Sequence, residues 1–443
     1  MTVRASRFAV IDDNEDHVRI IKRALESLGK HCLGMVYTAE EGPRAGWLRG
    51  VRVLFLDLHL STGGLGTTDE RHFAVISDLL IQSTSPVGGP FIIVLWTESP
   101  EQESELKRHL FERIPLEHAH ARPIEIVALP KRTFLNARGD DVNDVIELQA
   151  AVAQKIMASP QLAAIMAWED DVHAAAAETL SSLLTSIPGE HRVPARYGEN
   201  LAKVMTRLAS SAVGSANVKQ DPRAAMSASL APILADRIQN QSADNEIAQV
   251  WQSALTPGAL EKPSFEEAAR VNRMLHIASA ESEKVTGNDW GAVVDLPFYS
   301  SELKFSEMFG LESIAAMTEQ YFVSKRESCG SCAWRMIHLG AACDHAQPKD
   351  MPASFILALE VPRETARAKS RLRPQEWVSP IFQREGSDGQ FYLVANARYV
   401  VTFTRARAAK FRSRYRLREQ LLSQLVKHAA DYSARPGIVA LYP

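Results

Sequence analysis

Between residues 7 and 136, short apolar runs alternate with stretches of helical spacing, and this alternation restricts the fold more than any other feature of the chain. The runs are RFAVI (7–11), VRVLFLDL (51–58), PFIIVLWT (90–97) and PIEIVALPK (123–131). Each reads as a buried strand. After the first, DHVRIIKRALESLG sets Val18, Ile21, Leu25 and Leu28 on one helical face, with Gly29 as a stop. HFAVISDLLIQ (72–82) and EQESELKRHLFERI (101–114) read as further helices. Strands alternating with helices imply a mostly parallel sheet covered on both faces. The expected fold is therefore α/β, a doubly wound, five-stranded parallel sheet over residues 1–136. In such sheets ligands bind beyond the carboxyl ends of the strands.

A chain of 443 residues is too long for one core. Residues 137–285 turn alanine-rich and helical, with Ser159-Pro160 as a helix start and Ser264/Glu267 as a capping pair before AARVNRMLHIAS. This stretch reads as a linker or docking bundle. Over 286–443, β-like segments return (AVVDL, QYFV, AWRMIHLG, SFILALEV, FYLVANARYVVTF), and the segment is expected to close on a basic helix. A formal net charge of −3 predicts no general attraction to nucleic acid or an anionic membrane. No apolar run approaches the ~20 residues that span a bilayer. The N-terminal stretch turns acidic too soon for a signal peptide, and four cysteines fit a reducing compartment. The expected location is the cytoplasm.

The strand ends carry the chemistry. Asp12 and Asp13 end the first strand, Asp57 ends VLFLD, Thr97 ends IIVLWT and Lys131 ends IVALPK. In a doubly wound sheet these ends meet at one edge. Three carboxylates facing one another repel, and a divalent cation removes the repulsion; Mg²⁺ suits oxygen ligands of this kind. A metal beside Asp57 could neutralise phosphoryl oxygens while that carboxylate attacks phosphorus, with the Thr97 hydroxyl and the Lys131 ammonium engaging the remaining oxygens.

This set resembles the receiver domain of two-component response regulators over roughly the first 135 residues. The resemblance implies Asp57 as phosphoacceptor, Asp12 and Asp13 as metal carboxylates with the His59 main-chain carbonyl as a further Mg²⁺ ligand, Thr97 as switch hydroxyl and Lys131 as the phosphoryl-contacting lysine. It implies a histidine kinase as partner, with a second response regulator, an effector protein or a second copy of the chain as further partners. The sequence departs from that family in three places. Pro130 precedes Lys131 instead of following it, Ala128 stands where the family has an aromatic, and the loop LHLSTGGLGTTDE after Asp57 is long and glycine-rich.

No helix-turn-helix follows. Instead, WRMIHLGAACDHAQPK and YRLREQLLSQLVKHAADYSARPGIVALY are similar to segments of bacterial proteins that join a receiver-like domain to a β-rich CDxAQ domain, among them defensive two-component systems. That resemblance implies a phage-defence setting. Cys329, Cys332 and Cys343, with His338 or His345, invite a zinc site. The strand-like AWRMIHLG would hold the first pair ~30 Å from Cys343, however, and a CGSC turn with idle thiols is preferred. Cys343 and His345 lack an orienting partner for nucleophilic catalysis. The basic run Arg405, Arg407, Lys410, Arg412, Arg414, Arg416, Arg418 interleaves Phe411 and Tyr415 and suits phosphate backbones. An amphipathic helix burying Leu417, Leu421 and Leu425 is the favoured reading.

The expected function is thus a signalling phosphoacceptor without DNA-binding output, passing its signal through protein contacts or serving as a phosphate sink. The alternatives are a structural adaptor built on a degenerate receiver, and a nucleic-acid or zinc-dependent effector acting through the C-terminal domain.

Overall fold

The computed structural model describes residues 6–435 except 39, 41–43, 61–68, 195, 243, 257, 259–260, 297–301, 311–317, 319–329, 341–351 and 367–372. The side chains of 281, 282, 302, 303 and 305 also lie outside the description. The chain divides into two units, Met1–Glu178 with Asp236–Gly258 and Thr179–Ala235 with Ala259–Pro443.

The first unit contains β1 (Phe8–Asp12), α1 (Glu15–Ser27), β2 (Cys32–Val36), β3 (Val53–Leu56), α2 (Asp69–Ser83), β4 (Ile92–Thr97), α3 (Glu103–Arg113), β5 (Glu125–Pro130) and the short α4 (Lys131–Phe134). Its five strands are all parallel, in the order β2-β1-β3-β4-β5. Every residue of β1, β3 and β4 is buried. Helices on both faces leave such strands no wet side, which is why they read as unbroken apolar runs. Successive residues point to opposite faces. Ala9, Ile11, Leu54, Leu56, Ile93 and Leu95 pack under Phe73, Ile76 and Leu80 of α2 and Leu106 and Leu110 of α3. Val10, Val53, Phe55, Val94 and Trp96 pack under Ile21 and Leu25 of α1 and Leu148 and Val152 of helix Val145–Ile156. The start of the helical stretch after residue 136 therefore completes the cover of this sheet.

Helix α1 begins and ends as its sequence dictates. Asn14 caps it, its side chain accepting from the Asp16 N–H at 2.9 Å. At the other end Gly29 takes φ +71°, so that its N–H reaches Glu26 O and the Lys30 N–H reaches Leu25 O, each at 2.9 Å. Leu28 departs from the expected helical face: it is the C-cap and is 37% exposed.

The second unit opens with helices that include Tyr197–Val213 and Ser215–Gln220, and Ala209 and Val213 pack on Ala225. Helix Phe265–His276 is capped by Ser264, whose Oγ accepts from the Glu267 N–H at 3.1 Å. It runs directly into β6 (Ile277–Ser279), a strand where the sequence read as continued helix. There follow β7 (Ala292–Asp295), β8 (Ala333–Leu339), β9 (Ala353–Pro362), β10 (Glu376–Gln383), β11 (Gln390–Phe403) and β12 (Ser413–Leu417). These form a seven-stranded antiparallel sheet, order β10-β11-β9-β8-β7-β12-β6, and the described chain closes on helix Glu419–Ser433. One face carries Ile356 and Ala358 with Ile337, Leu393 and Leu417 beneath Leu421, Leu422 and Leu425 of the closing helix. The other carries Phe355, Leu357 and Leu359 with Trp334, Met336 and Val294.

The basic run corrects an expectation. Only Arg405–Ala408 is helical; Ser413–Leu417 is β12, paired between β6 and β7. The reason lies in SRYRL itself, which alternates with period two, Tyr415 and Leu417 buried and Arg414 and Arg416 half-buried. The terminal helix begins after the basic run, at Glu419. Among the described residues no helix is long and apolar enough to cross a membrane.

Candidate metal and phosphoryl site

The carboxyl ends of the parallel strands bring together the residues that the sequence scattered. Asp12 is the last residue of β1, and Asp57 directly follows β3, its N–H donating to Ile11 O at 2.9 Å. Lys131 follows β5 as the first residue of α4, and Thr97 closes β4 in register with Pro130. Candidate ligand oxygens of Asp12, Asp13 and Asp57 all lie within 4.8 Å of one another. Lys131 Nζ stands 2.8 Å from Asp12 Oδ2 and 3.1 Å from Asp57 Oδ1. Asp12, Asp57, Thr97 and Lys131 are buried; Asp13 is half-buried.

Helix capping does not consume the aspartates, because Asn14 is the cap. Asp12 Oδ1 instead accepts from the Asn14 N–H at 2.9 Å and faces His17 Nδ1 at 3.3 Å. Its Oδ2 is fully buried and forms the ion pair with Lys131 without an aligned hydrogen bond, so directed lone-pair capacity remains there. Thr97 Oγ1 accepts from the Ser99 N–H at 3.1 Å and keeps its own proton to donate.

The electrostatics are unbalanced. Burial raises the Asp57 carboxyl above the usual range, and Asp12 adds to the rise against the pull of Lys131. Asp13 is likewise raised, first by burial and then by the charges of Asp57 and Asp12. Burial also pushes Asp12 upward, but His17, Lys131 and the Asn14 N–H together outweigh it and hold that carboxyl low. Three carboxylates against one ammonium leave two unbalanced negative charges in a mostly buried cluster. The oxygen-only donor set, the surplus charge and the undirected Asp12 oxygen all fit a small divalent cation. A Mg²⁺ concentration one hundredfold above Kd is expected to stabilise the fold by ~2.7 kcal/mol. A thermal melt with and without Mg²⁺ reads this, and substitution of Asp13 by Asn should diminish it.

Sequence reasoning missed two neighbours. His17, on the first turn of α1, contacts Asp12; a histidine there carries no signal until the helix start is fixed. His72 of α2 meets the His59 ring edge-on at 4.8 Å. Burial, and then His59, hold the His72 imidazole below its ordinary value. His59 lies two residues beyond Asp57 as expected, and residues 61–68 of the following loop are outside the described set. Ala128, three residues before Lys131, is half-buried, its N–H donating to Glu103 Oε2 at 2.7 Å.

For the cysteine set, Cys332 is buried in the β-sheet core beside Trp334 and Met336. Cys329, Cys343 and His345 lie outside the described residues. Among the described residues, the His/Cys/Asp/Glu cluster able to surround an ion is Asp12, Asp13 and Asp57. The first unit is thus a five-stranded parallel sheet of receiver-like shape with an acidic cluster at its carboxyl edge. Comparison with protein-family models, curated proteins and solved structures returns no match for the chain.

Proposed function

We propose that the first unit is a receiver-class phosphoacceptor: Asp57 takes a phosphoryl group from a phosphohistidine donor, and the chain signals through protein contacts or drains phosphoryl groups from a pathway. The observation that carries this reading is the meeting of Asp57, Asp12, Asp13 and Lys131 in one mostly buried cluster at the strand ends. An Asp57 oxygen attacks phosphorus; the phosphorus–nitrogen bond of the donor breaks, the imidazole leaves with a proton, and an acyl phosphate forms. Lys131, already beside Asp57 Oδ1, pairs with a phosphoryl oxygen, and Thr97 donates its hydroxyl proton to another. Asp12, Asp13 and Asp57, with the His59 main-chain carbonyl as the fourth candidate ligand, would hold Mg²⁺, which when bound would neutralise phosphoryl charge.

Acetyl phosphate with Mg²⁺ is expected to add one phosphoryl group to the intact mass of the wild-type chain and none to Asp57→Asn. Equal labelling of both would remove the assignment. Without metal, the same substitution is expected to raise the stability of the fold at neutral pH, read as a higher melting temperature than wild type. The sign follows from linkage. A carboxyl raised on folding costs nothing below its unfolded value and imposes its full penalty above its folded value, so the gain vanishes on acidification. A second reading, a structural adaptor on a degenerate receiver, is favoured by Ala128, which has no ring to swing inward. It expects no mass change with either chain.

A further inference from the structure

The sheet face that carries Ile356 and Ala358 stops being apolar at one end. The next β9 residue on that face is Glu360, and the next on β8 after Ile337 is Arg335, with Asp295 of β7 in register opposite it. Glu360 is buried at 2% exposure and accepts from Arg335 Nε and Nη2 (2.9 and 3.2 Å), Arg384 Nη1 (3.1 Å) and the Tyr415 hydroxyl (2.9 Å). Asp295 Oδ1 accepts from Arg335 Nη1 at 2.9 Å and from Arg414 Nε at 2.8 Å. Two carboxylates thus fix three guanidinium groups in set orientations. Each guanidinium has five N–H donors, and the carboxylates occupy only part of them.

A strand irregularity adds to this arrangement. The β12–β7 pairing slips between Ser413 and Tyr415, leaving Arg414 as an extra residue. Consecutive residues of a regular strand face opposite ways, yet Ser413, Arg414 and Tyr415 all line one cavity. That cavity has a volume of about 380 Å³, within the range of small-molecule sites. Arg273, Arg335, Arg384, Arg412 and Arg414 line it, against Glu360 and Glu385. Counting Asp295 as well, the positive charges exceed the negative by two. Among the described residues Arg412, exposed on the rim, has no carboxylate partner, and the buried Ser413 Oγ has no hydrogen-bond partner.

We propose that this cavity binds a small phosphorylated anion of mononucleotide size, with Arg412 and Arg384 gripping phosphoryl oxygens and Ser413 donating its hydroxyl. Planar guanidinium forks match phosphoryl oxygens in pairs. A nucleic-acid strand fits less well, because strand binding needs an extended basic track. The run does not continue as one: Arg416 and Arg418 are both tied to Glu283, at 3.0 and 3.1 Å. The proposal is independent of the Asp57 reading.

Calorimetric titration of the full chain bearing Asp57→Asn, in chelator, keeps the acidic cluster from contributing. Saturable binding of ADP or of pyrophosphate is expected, with none of adenosine. Arg412→Ala should weaken binding roughly ten- to one hundredfold, while Arg416→Ala, outside the cavity, leaves it unchanged; circular dichroism confirms that both variants fold. Failure of both ADP and pyrophosphate to bind, or binding indifferent to Arg412→Ala, overturns the proposal. Tighter binding of a single-stranded oligonucleotide than of ADP, with a steep salt dependence, overturns it in favour of a strand-binding surface.

Discussion

Replacing Lys131 by methionine is expected to destabilise the metal-free protein by about 3–5 kcal/mol, the effect of removing one member of a buried charge cluster. Among the described residues the Lys131 ammonium is the cation placed against both Asp12 and Asp57, and all three side chains are almost fully buried. Methionine preserves much of the volume, so the loss reports charge. Two consequences separate this account from simple misfolding. Mg²⁺ should bind the variant more tightly than wild type, since the surplus negative charge rises from two to three. Adding Asp57→Asn should restore part of the stability, with a coupling of roughly 0.5–3 kcal/mol. Urea unfolding of the four chains of this cycle, without and with Mg²⁺, measures both. A loss below about 1 kcal/mol would mean that the three groups do not interact as their separations imply.

Glu360→Ala in the second unit is expected to cost a similar ~3–5 kcal/mol, because it removes the buried carboxylate that accepts from Arg335, Arg384 and the Tyr415 hydroxyl. The contrasting case is Arg416→Ala. Arg416 pairs with Glu283, but the two side chains are 29% and 35% exposed, and such a pair is worth only ~0–1 kcal/mol. Burial, not the number of ion pairs, decides the difference. Denaturant midpoints of the two variants should therefore separate widely.

The parallel sheet was legible because burial on both faces leaves its mark in every residue. FAVI, VLFL and IIVLWT have no polar interruptions, and their terminal Asp12, Asp57 and Thr97 are set at one edge by topology. Edge strand β2 left no such mark: none of its five residues is buried, and Gly34 breaks the run. In the second unit, β12 is obscured in the sequence because its arginines fit a basic helical face, although Tyr415 and Leu417 are buried with period two. β6 was hidden because a helical pattern runs into it without a break. The Glu360 cluster could not be read at all from the sequence. Its members come from β7, β8, β9, β12 and the turn after β10, and only strand pairing brings them to one place. His17 and His72 were missed for the same reason, since a side chain from a helix reaches a strand end only once the packing is known.

Site mapping of the acyl phosphate tests the central claim most directly. The wild-type chain, treated with acetyl phosphate and Mg²⁺, is reduced with borohydride, which converts a phosphorylated aspartate to homoserine, and its peptides are sequenced by mass spectrometry. Homoserine at position 57, absent when Mg²⁺ is withheld, is the expected result. An unmodified Asp57 peptide, or modification at an aspartate outside the cluster, would contradict it.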